Sequence, residues 1–311
     1  MTVRMTLQIR PLLLIRSDKK INYQVIQKLG VGGNSEVYLV QCMDGLNQGV
    51  LFALKVFYFI TDKERYKRFN TEREFLKESY HPSILQVFDE GFYDQHSTDE
   101  KFPFIVVEYL PDTLLQINQR TLLNADKINY TIQLLSVLAL LDQLTPPVIH
   151  RDIKPHNIFI KGRSCVLGDF GLMKLLGSAS EDEDDRKFYE QTYCSGMPRK
   201  WRTPDLVDYI RDHKELTTKT DIFQLGLVVA WLFTGKNPEK FSGGNYLKDV
   251  ELKEIENIPG LSIKQTIEDL INSMLDFNPV TRPSAIELLD RWQGLFNEVI
   301  DQSHKLNGKV F

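Results

Sequence analysis

Cysteine is scarce in this chain of 311 residues. The three present, Cys42, Cys165 and Cys194, are too scattered for a disulfide framework or a zinc site, and they are odd in number. That usage fits a reducing compartment. Long apolar runs are missing too: no stretch approaches the ~18–20 apolar residues of a membrane helix. Leu12 to Ile15, flanked by Arg10 and Arg16, is too short an apolar core for an export signal. Nor is there an excess of positive charge. The balance of 38 Lys and Arg against 42 Asp and Glu gives a net charge of −4, which argues against a general nucleic-acid binder. The expectation is a cytoplasmic protein with neither a membrane nor nucleic acid as partner.

What is present begins with size. A chain this long exceeds the usual single core, so one bilobal or two-domain body is expected. Its most informative stretch is His150-Arg151-Asp152-Ile153-Lys154-Pro155-His156-Asn157, set between the apolar segments 147–149 and 158–160. A carboxylate at Asp152 can orient a hydroxyl and accept its proton. An ammonium at Lys154 can neutralise a migrating phosphate, and the amide oxygen of Asn157 can hold a metal ion. Asp169-Phe170-Gly171 follows after a strand-like run, 166–169.

These two motifs, at this spacing, resemble the H-R-D-x-K-x-x-N catalytic loop and D-F-G of the protein kinase family. The resemblance covers roughly residues 21–298. It implies an α+β, bilobal protein-kinase-like fold, with a small β-rich N-lobe at about 21–108 and a larger, mainly helical C-lobe at about 111–298. Residues 1–20 are then an N-terminal arm and 299–311 a polar tail. The implied activity is transfer of the γ-phosphate of ATP to serine or threonine hydroxyls of a protein substrate, with Mg²⁺, including autophosphorylation of the activation segment. A pseudokinase-like binding module and a tyrosine or dual-specificity kinase are the alternatives.

The N-terminal part reads as strands at Tyr23–Leu29 and Glu36–Val40 around the turn Gly30-Val31-Gly32-Gly33-Asn34-Ser35. On its residues alone this is either a hairpin turn or a phosphate cradle. Glycines let backbone N–H groups approach an anion unobstructed, and strands on both sides exclude the strand-to-helix dinucleotide motif. By resemblance Gly30, Gly32 and Gly33 cover the phosphates, and Lys55, inside the β run Phe52–Phe57, grips the α- and β-phosphates. Residues 62–79 read as an amphipathic helix carrying the glutamate that steadies Lys55. Glu72 is preferred over Glu74, which faces elsewhere two residues away. Further strands are expected at Ile84–Phe88 and Phe104–Val107. The Glu108 carbonyl and Leu110 amide would bond the adenine edge, between Val37 and Ala53.

Beyond Pro111, helices are expected at Ala125–Leu144, Thr217–Phe233, Ile267–Leu275 and Ala285–Val299. By resemblance Asp152, Lys154 and Asn157 are the catalytic residues, and Asn157 and Asp169 hold Mg²⁺. Asp221 braces the catalytic loop, and Asp205, in place of the family's longer glutamate, must reach Arg282. Arg151 is the residue with which the family often docks an activation-segment phosphate. Among Thr192, Tyr193 and Ser195 the expected acceptor here is Thr192 or Ser195; the acidic run 181–185 is either a solvated loop or itself a mimic of the phosphate. Pro198-Arg199-Lys200-Trp201 resembles the P-x-K-W of tyrosine kinases, whereas Lys154 belongs to the serine/threonine type of loop. Lys154 sits in the chemistry, and the expectation follows it.

Overall fold

The computed structural model describes residues 6–95, 99–117, 121–177, 182–194, 200–255, 258 and 263–305. The chain divides into two compact units, Met1–Pro111 and Asp112–Phe311.

The first unit is a six-stranded sheet in the order β1-β2-β3-β4-β6-β5, formed by β1 (Leu14–Arg16), β2 (Asn22–Val31), β3 (Ser35–Cys42), β4 (Leu51–Phe57), β5 (Val87–Gln95) and β6 (Glu100–Glu108). Every neighbouring pair is antiparallel, so short connections suffice. The segment around Leu12 resolves as a true edge strand, with Ile15 buried opposite Tyr23. Thr6 and Gln8 of the arm bond through their backbones to Gln95, which tethers the arm to β5. The strand expected at Ile84–Phe88 instead starts at Val87, because Ile84 N–H closes a turn onto the His81 carbonyl (3.0 Å). Helix α1 (Lys63–Glu78) is capped by Asp62, which accepts from Arg65 N–H. It buries Phe69, stacked 4.9 Å from Phe57, together with Glu72 and Leu76.

The second unit is built on helices α2 (Asn124–Gln143), α5 (Lys219–Thr234), α6 (Lys264–Met274) and α7 (Ala285–Lys305). Helix α7 continues past Val299, so part of the expected polar tail is helical. Helix α5 is buried from Thr220 to Phe233, which explains why apolar residues occur all round it. Gly226 allows a close approach there: a Cβ would lie 3.0 Å from side-chain atoms of Met274 and Leu275 on α6 and its C-cap, which would have to shift. Two small ladders, β7 (Val148–Ile149) with β10 (Lys174–Leu175), and β8 (Ile158–Lys161) with β9 (Ser164–Leu167), frame the central loop. Among the described residues, no helix is long and apolar enough to cross a membrane.

Two further helices lie after Asp169. In α3 (Asp182–Cys194), the acidic residues from Asp182 onward, for which a solvated loop is one of the two readings, open a helix instead, and Asp185 is buried. Glu183 and Asp184, close to its start, suit the positive end of the helix dipole. Helix α4 (Pro204–Arg211) starts with Thr203 as N-cap and proline in the first turn. Its Asp205 does reach Arg282, with the guanidinium forked at 3.2 and 3.0 Å in a pair almost wholly buried.

Candidate functional site

In the first unit the candidate residues gather on one face of the sheet. Val37 pairs with Lys55, Lys55 with Ile105, Ala53 with Val107, and Gly30 with Val37. Directly paired residues share a face, as do alternate ones along a strand. Lys55 Nζ donates to Glu72 Oε1 at 2.7 Å, with Glu72 nearly dry. Glu74 is exposed and pairs with Arg73 instead. The difference follows from the helix: Phe69, Glu72 and Leu76 form one buried stripe at three- and four-residue spacing, and Glu74 lies off it. Glu108 ends β6, donating its N–H to the Gln86 carbonyl (3.2 Å), and Leu110 lies just before the unit boundary, half-buried.

The glycine turn is held from below. Tyr58 Oη donates between the carbonyls of Gly32 (2.7 Å) and Gly33 (3.0 Å), and Asn34 accepts from Arg65 on α1. The Gly32 N–H closes the turn onto the Ser35 carbonyl (2.8 Å). A Cβ at Gly30 or Gly33 would meet nothing within 4 Å, and neither residue has a positive φ. The fold therefore does not demand glycine at these two positions, which leaves open space beside the turn. Gly30→Val is expected to leave stability unchanged or slightly raised, since valine favours strands, while raising the KM for ATP about tenfold. Thermal unfolding and initial rates check this.

In the second unit the candidate residues converge on the loop between β7 and β8. Asp221, at the start of α5, accepts from the N–H groups of His150 (2.6 Å) and Arg151 (2.9 Å). This holds Arg151 at φ +66°, a conformation rare for a side-chain-bearing residue. Gln224, one turn further along α5, accepts from Ile153 N–H (3.0 Å) and donates to the Arg151 and Trp201 carbonyls. Sequence reasoning did not single out Gln224; the signal was its position three residues after Asp221, on the same helix face. His150 accepts from Asp152 N–H at Nδ1 (3.2 Å) and donates from Nε2 to the Gly168 carbonyl (3.1 Å). Burial pushes its imidazole down to about 4, so it stays neutral and supports both bonds.

Asp152 sits between two partners. Lys154 Nζ bonds both carboxylate oxygens at 2.8 and 2.7 Å, and Asn157 Nδ2 bonds Oδ2 and the backbone carbonyl, each at 2.8 Å. Burial raises the Asp152 carboxyl to about 6; Lys154 pulls against this and nearby Asp169 adds to it. Asn157 uses its amide nitrogen on Asp152, and none of the described residues donates to its Oδ1. Asp169 is exposed, at φ +59°, beside the buried Phe170, whose ring stands 4.5 Å from that of His150.

Among the described residues no group of three or more His, Cys, Asp and Glu side chains gathers as a closed metal cage. Asn157 Oδ1 and the Asp169 carboxylate nevertheless fit Mg²⁺, which takes hard oxygen ligands and is bound by one or two carboxylates with substrate phosphates completing its shell.

Of the expected acceptors, Ser195 lies outside the described residues, as do Pro198 and Arg199. Thr192 and Tyr193 fall in the last turn of α3, where side chains are likewise outside them. Trp201 is buried edge-on to Trp231 at 6.2 Å, so packing accounts for this member of the P-x-K-W resemblance.

The family model for the protein kinase domain matches residues 23–292. The chain is 27% identical to serine/threonine-protein kinase PrkC of Bacillus subtilis over 275 residues, which is 85% of this chain and 39% of that protein. It is 28% identical to a Wee1-like protein kinase of Arabidopsis thaliana (86% and 49% covered) and 28% identical to serine/threonine-protein kinase A of Synechocystis (86% and 52%). The chain thus spans about half or less of these relatives' lengths.

Proposed function

We propose that this chain, which belongs to the protein kinase family, transfers the γ-phosphate of ATP to serine and threonine hydroxyls of proteins. The observation that carries the reading is Asp152, a buried carboxylate held between Lys154 and Asn157 on a loop whose backbone is braced by Asp221. Phosphoryl transfer asks for positioning and charge neutralisation more than for covalent chemistry. Asp152 orients the acceptor hydroxyl and takes its proton, and a basicity raised toward neutrality suits that task. Lys154 screens the transferred group, while Lys55, steadied by Glu72, holds the phosphates left behind. Gly30, Gly32 and Gly33 leave room for backbone approach to those phosphates. Val37 and Ala53 line the adenine, whose edge meets the Glu108 carbonyl and Leu110 amide. Asn157 and Asp169 hold Mg²⁺, which neutralises phosphate charge when bound.

Lys154 supports serine/threonine specificity, and the names of the Bacillus subtilis and Synechocystis relatives agree. Proteins are the substrate class, and the activation segment is an acceptor in autophosphorylation. The test is intact mass after incubation with Mg²⁺ and ATP, with peptide mapping, beside Asp152→Asn. Added phosphate on serine or threonine in the wild type alone is expected. Phosphate only on tyrosine overturns the specificity, and neither transfer nor nucleotide binding overturns the reading itself.

A further inference from the structure

Arg151 is the most completely enclosed charge beside the catalytic loop, with no exposed side-chain surface. Its guanidinium forks onto the Asp185 carboxylate, Nη1 to Oδ2 at 2.7 Å and Nη2 to Oδ1 at 3.0 Å. The same fork reaches the backbone that follows Phe170: Nε donates to the Leu172 carbonyl (2.7 Å) and Nη2 to that of Met173 (3.4 Å). Asp185 also accepts from Tyr209 Oη on α4 (2.7 Å) and lies 3.7 Å from Lys174 Nζ on β10. Burial opposes the charge on Arg151, but Asp185 more than offsets this, so the guanidinium stays raised above its ordinary value.

Helix α3 therefore meets the catalytic loop through one carboxylate that answers two cations and a phenol. The attachment is reinforced at its next turn. Tyr189 lays its ring 4.7 Å from the guanidinium and donates Oη to the Arg151 carbonyl (3.2 Å). Phe188 and Tyr189 enter a buried cluster with Ile149 of β7 and with Leu206, Tyr209 and Ile210 of α4. Arg151 is the immediate neighbour of Asp152, at a positive φ that Asp221 and Gln224 clamp through its backbone. Without an anion against its side chain, the same residue would bury an unneutralised charge, which the loop avoids only by moving.

We infer that Asp185 is a positioning residue, whose carboxylate supplies from within the chain the anion that Arg151, Lys174 and Tyr209 enclose, so that the catalytic loop is set for transfer without phosphate on the segment 182–200. The inference rests on the phosphoryl-transfer reading above. It settles between the two roles open to the acidic run: one of its carboxylates is the dry partner of Arg151, while Glu183 pairs with Lys187 on the exposed side of α3. Phosphorylation of the segment then becomes an addition to a working enzyme.

The experiment uses the full chain, treated with phosphatase until intact mass shows no phosphate, and a degenerate serine/threonine peptide pool as substrate. The phosphate-free wild type is expected to match the kcat of the autophosphorylated protein within about twofold. Asp185→Asn is expected to lose kcat by about 10–100-fold, the scale of a displaced catalytic group, with KM for ATP little changed. Asp185→Glu, which keeps the charge, recovers part of the loss. Tyr209→Phe removes one bond to Asp185 and lowers kcat about threefold at an unchanged thermal midpoint. Should Asp185→Asn not fold, Tyr209→Phe decides: lowered kcat supports the role, unchanged kcat overturns it. A wild type active only when phosphorylated, or an Asp185→Asn variant as active as wild type, overturns the inference while the kinase reading stands. No transfer by either form of the wild type overturns both.

Discussion

Asp152→Asn is expected to lower kcat about 10²–10⁴-fold, the range for removing a general base, with KM for ATP of the same order as in the wild type. The substitution keeps the shape of the side chain and removes its basicity. The bonds that clamp the loop backbone to α5 do not pass through the Asp152 side chain: Asp221 holds the N–H groups of residues 150 and 151, and Gln224 that of residue 153, while the bonds Asp152 makes to Lys154 and Asn157 can be kept in part by the amide oxygen. Tryptophan fluorescence should therefore report a near-normal unfolding curve. A loss shared by kcat and kcat/KM marks an interaction made in the transition state. Asp152 must be ionised to accept a proton, so kcat/KM should fall as pH drops through about 6, the value to which burial raises it, or lower once a cation is bound nearby. A variant within tenfold of wild type, or an acid limb well above pH 6, would show that Asp152 does not act as the base.

The second large effect is on stability. Asp221→Asn should cost about 3–5 kcal/mol, because two buried hydrogen bonds to a charged acceptor are worth ~1.5–3 kcal/mol each and the amide faces one N–H with another donor. Arg151 then loses the bond that holds it at φ +66°, and kcat should fall as well. The pH dependence has a definite sign. Burial raises the folded-state Asp221 to about 6, above its ordinary carboxylate value. Between roughly pH 4 and 6 the folded protein thus binds more protons at this site than the unfolded chain, so its share of stability declines as pH rises. The variant lacks this titration, and the gap between wild type and variant should be widest near pH 4 and narrower at pH 7. All three tryptophans, Trp201, Trp231 and Trp292, lie in the second unit, so urea unfolding followed by their fluorescence reads it directly. A gap that widens from pH 4 to 7 would contradict the assignment.

How far the sequence could be read depended on how local each feature is. The loop 150–157 and Asp169-Phe170-Gly171 were legible as motifs, because their chemistry needs particular side chains at short spacings on one piece of backbone. Glu72 could be preferred to Glu74 because helix periodicity separates residues two apart. Helix α5 declared itself by its apolar character, and Asp221 by resemblance. Gln224 was within reach of the same periodicity. Strand limits were less legible: Ile84 is apolar and suits a strand, but a backbone turn at His81 occupies its N–H.

Asp185 marks the limit. It stands in a run of five acids, Glu181 to Asp185, whose composition describes a solvated segment equally well, and nothing local distinguishes one member from the next. Helix geometry turns it inward, and a buried guanidinium, an ammonium and a phenol from three separate elements give it its surroundings. By itself the sequence determined which polar and charged groups the candidate site can draw on and their order along the chain. Only the tertiary structure decided which carboxylates are dry and which cations they answer, because desolvation and pairing depend on what distant segments bring to the same few ångströms.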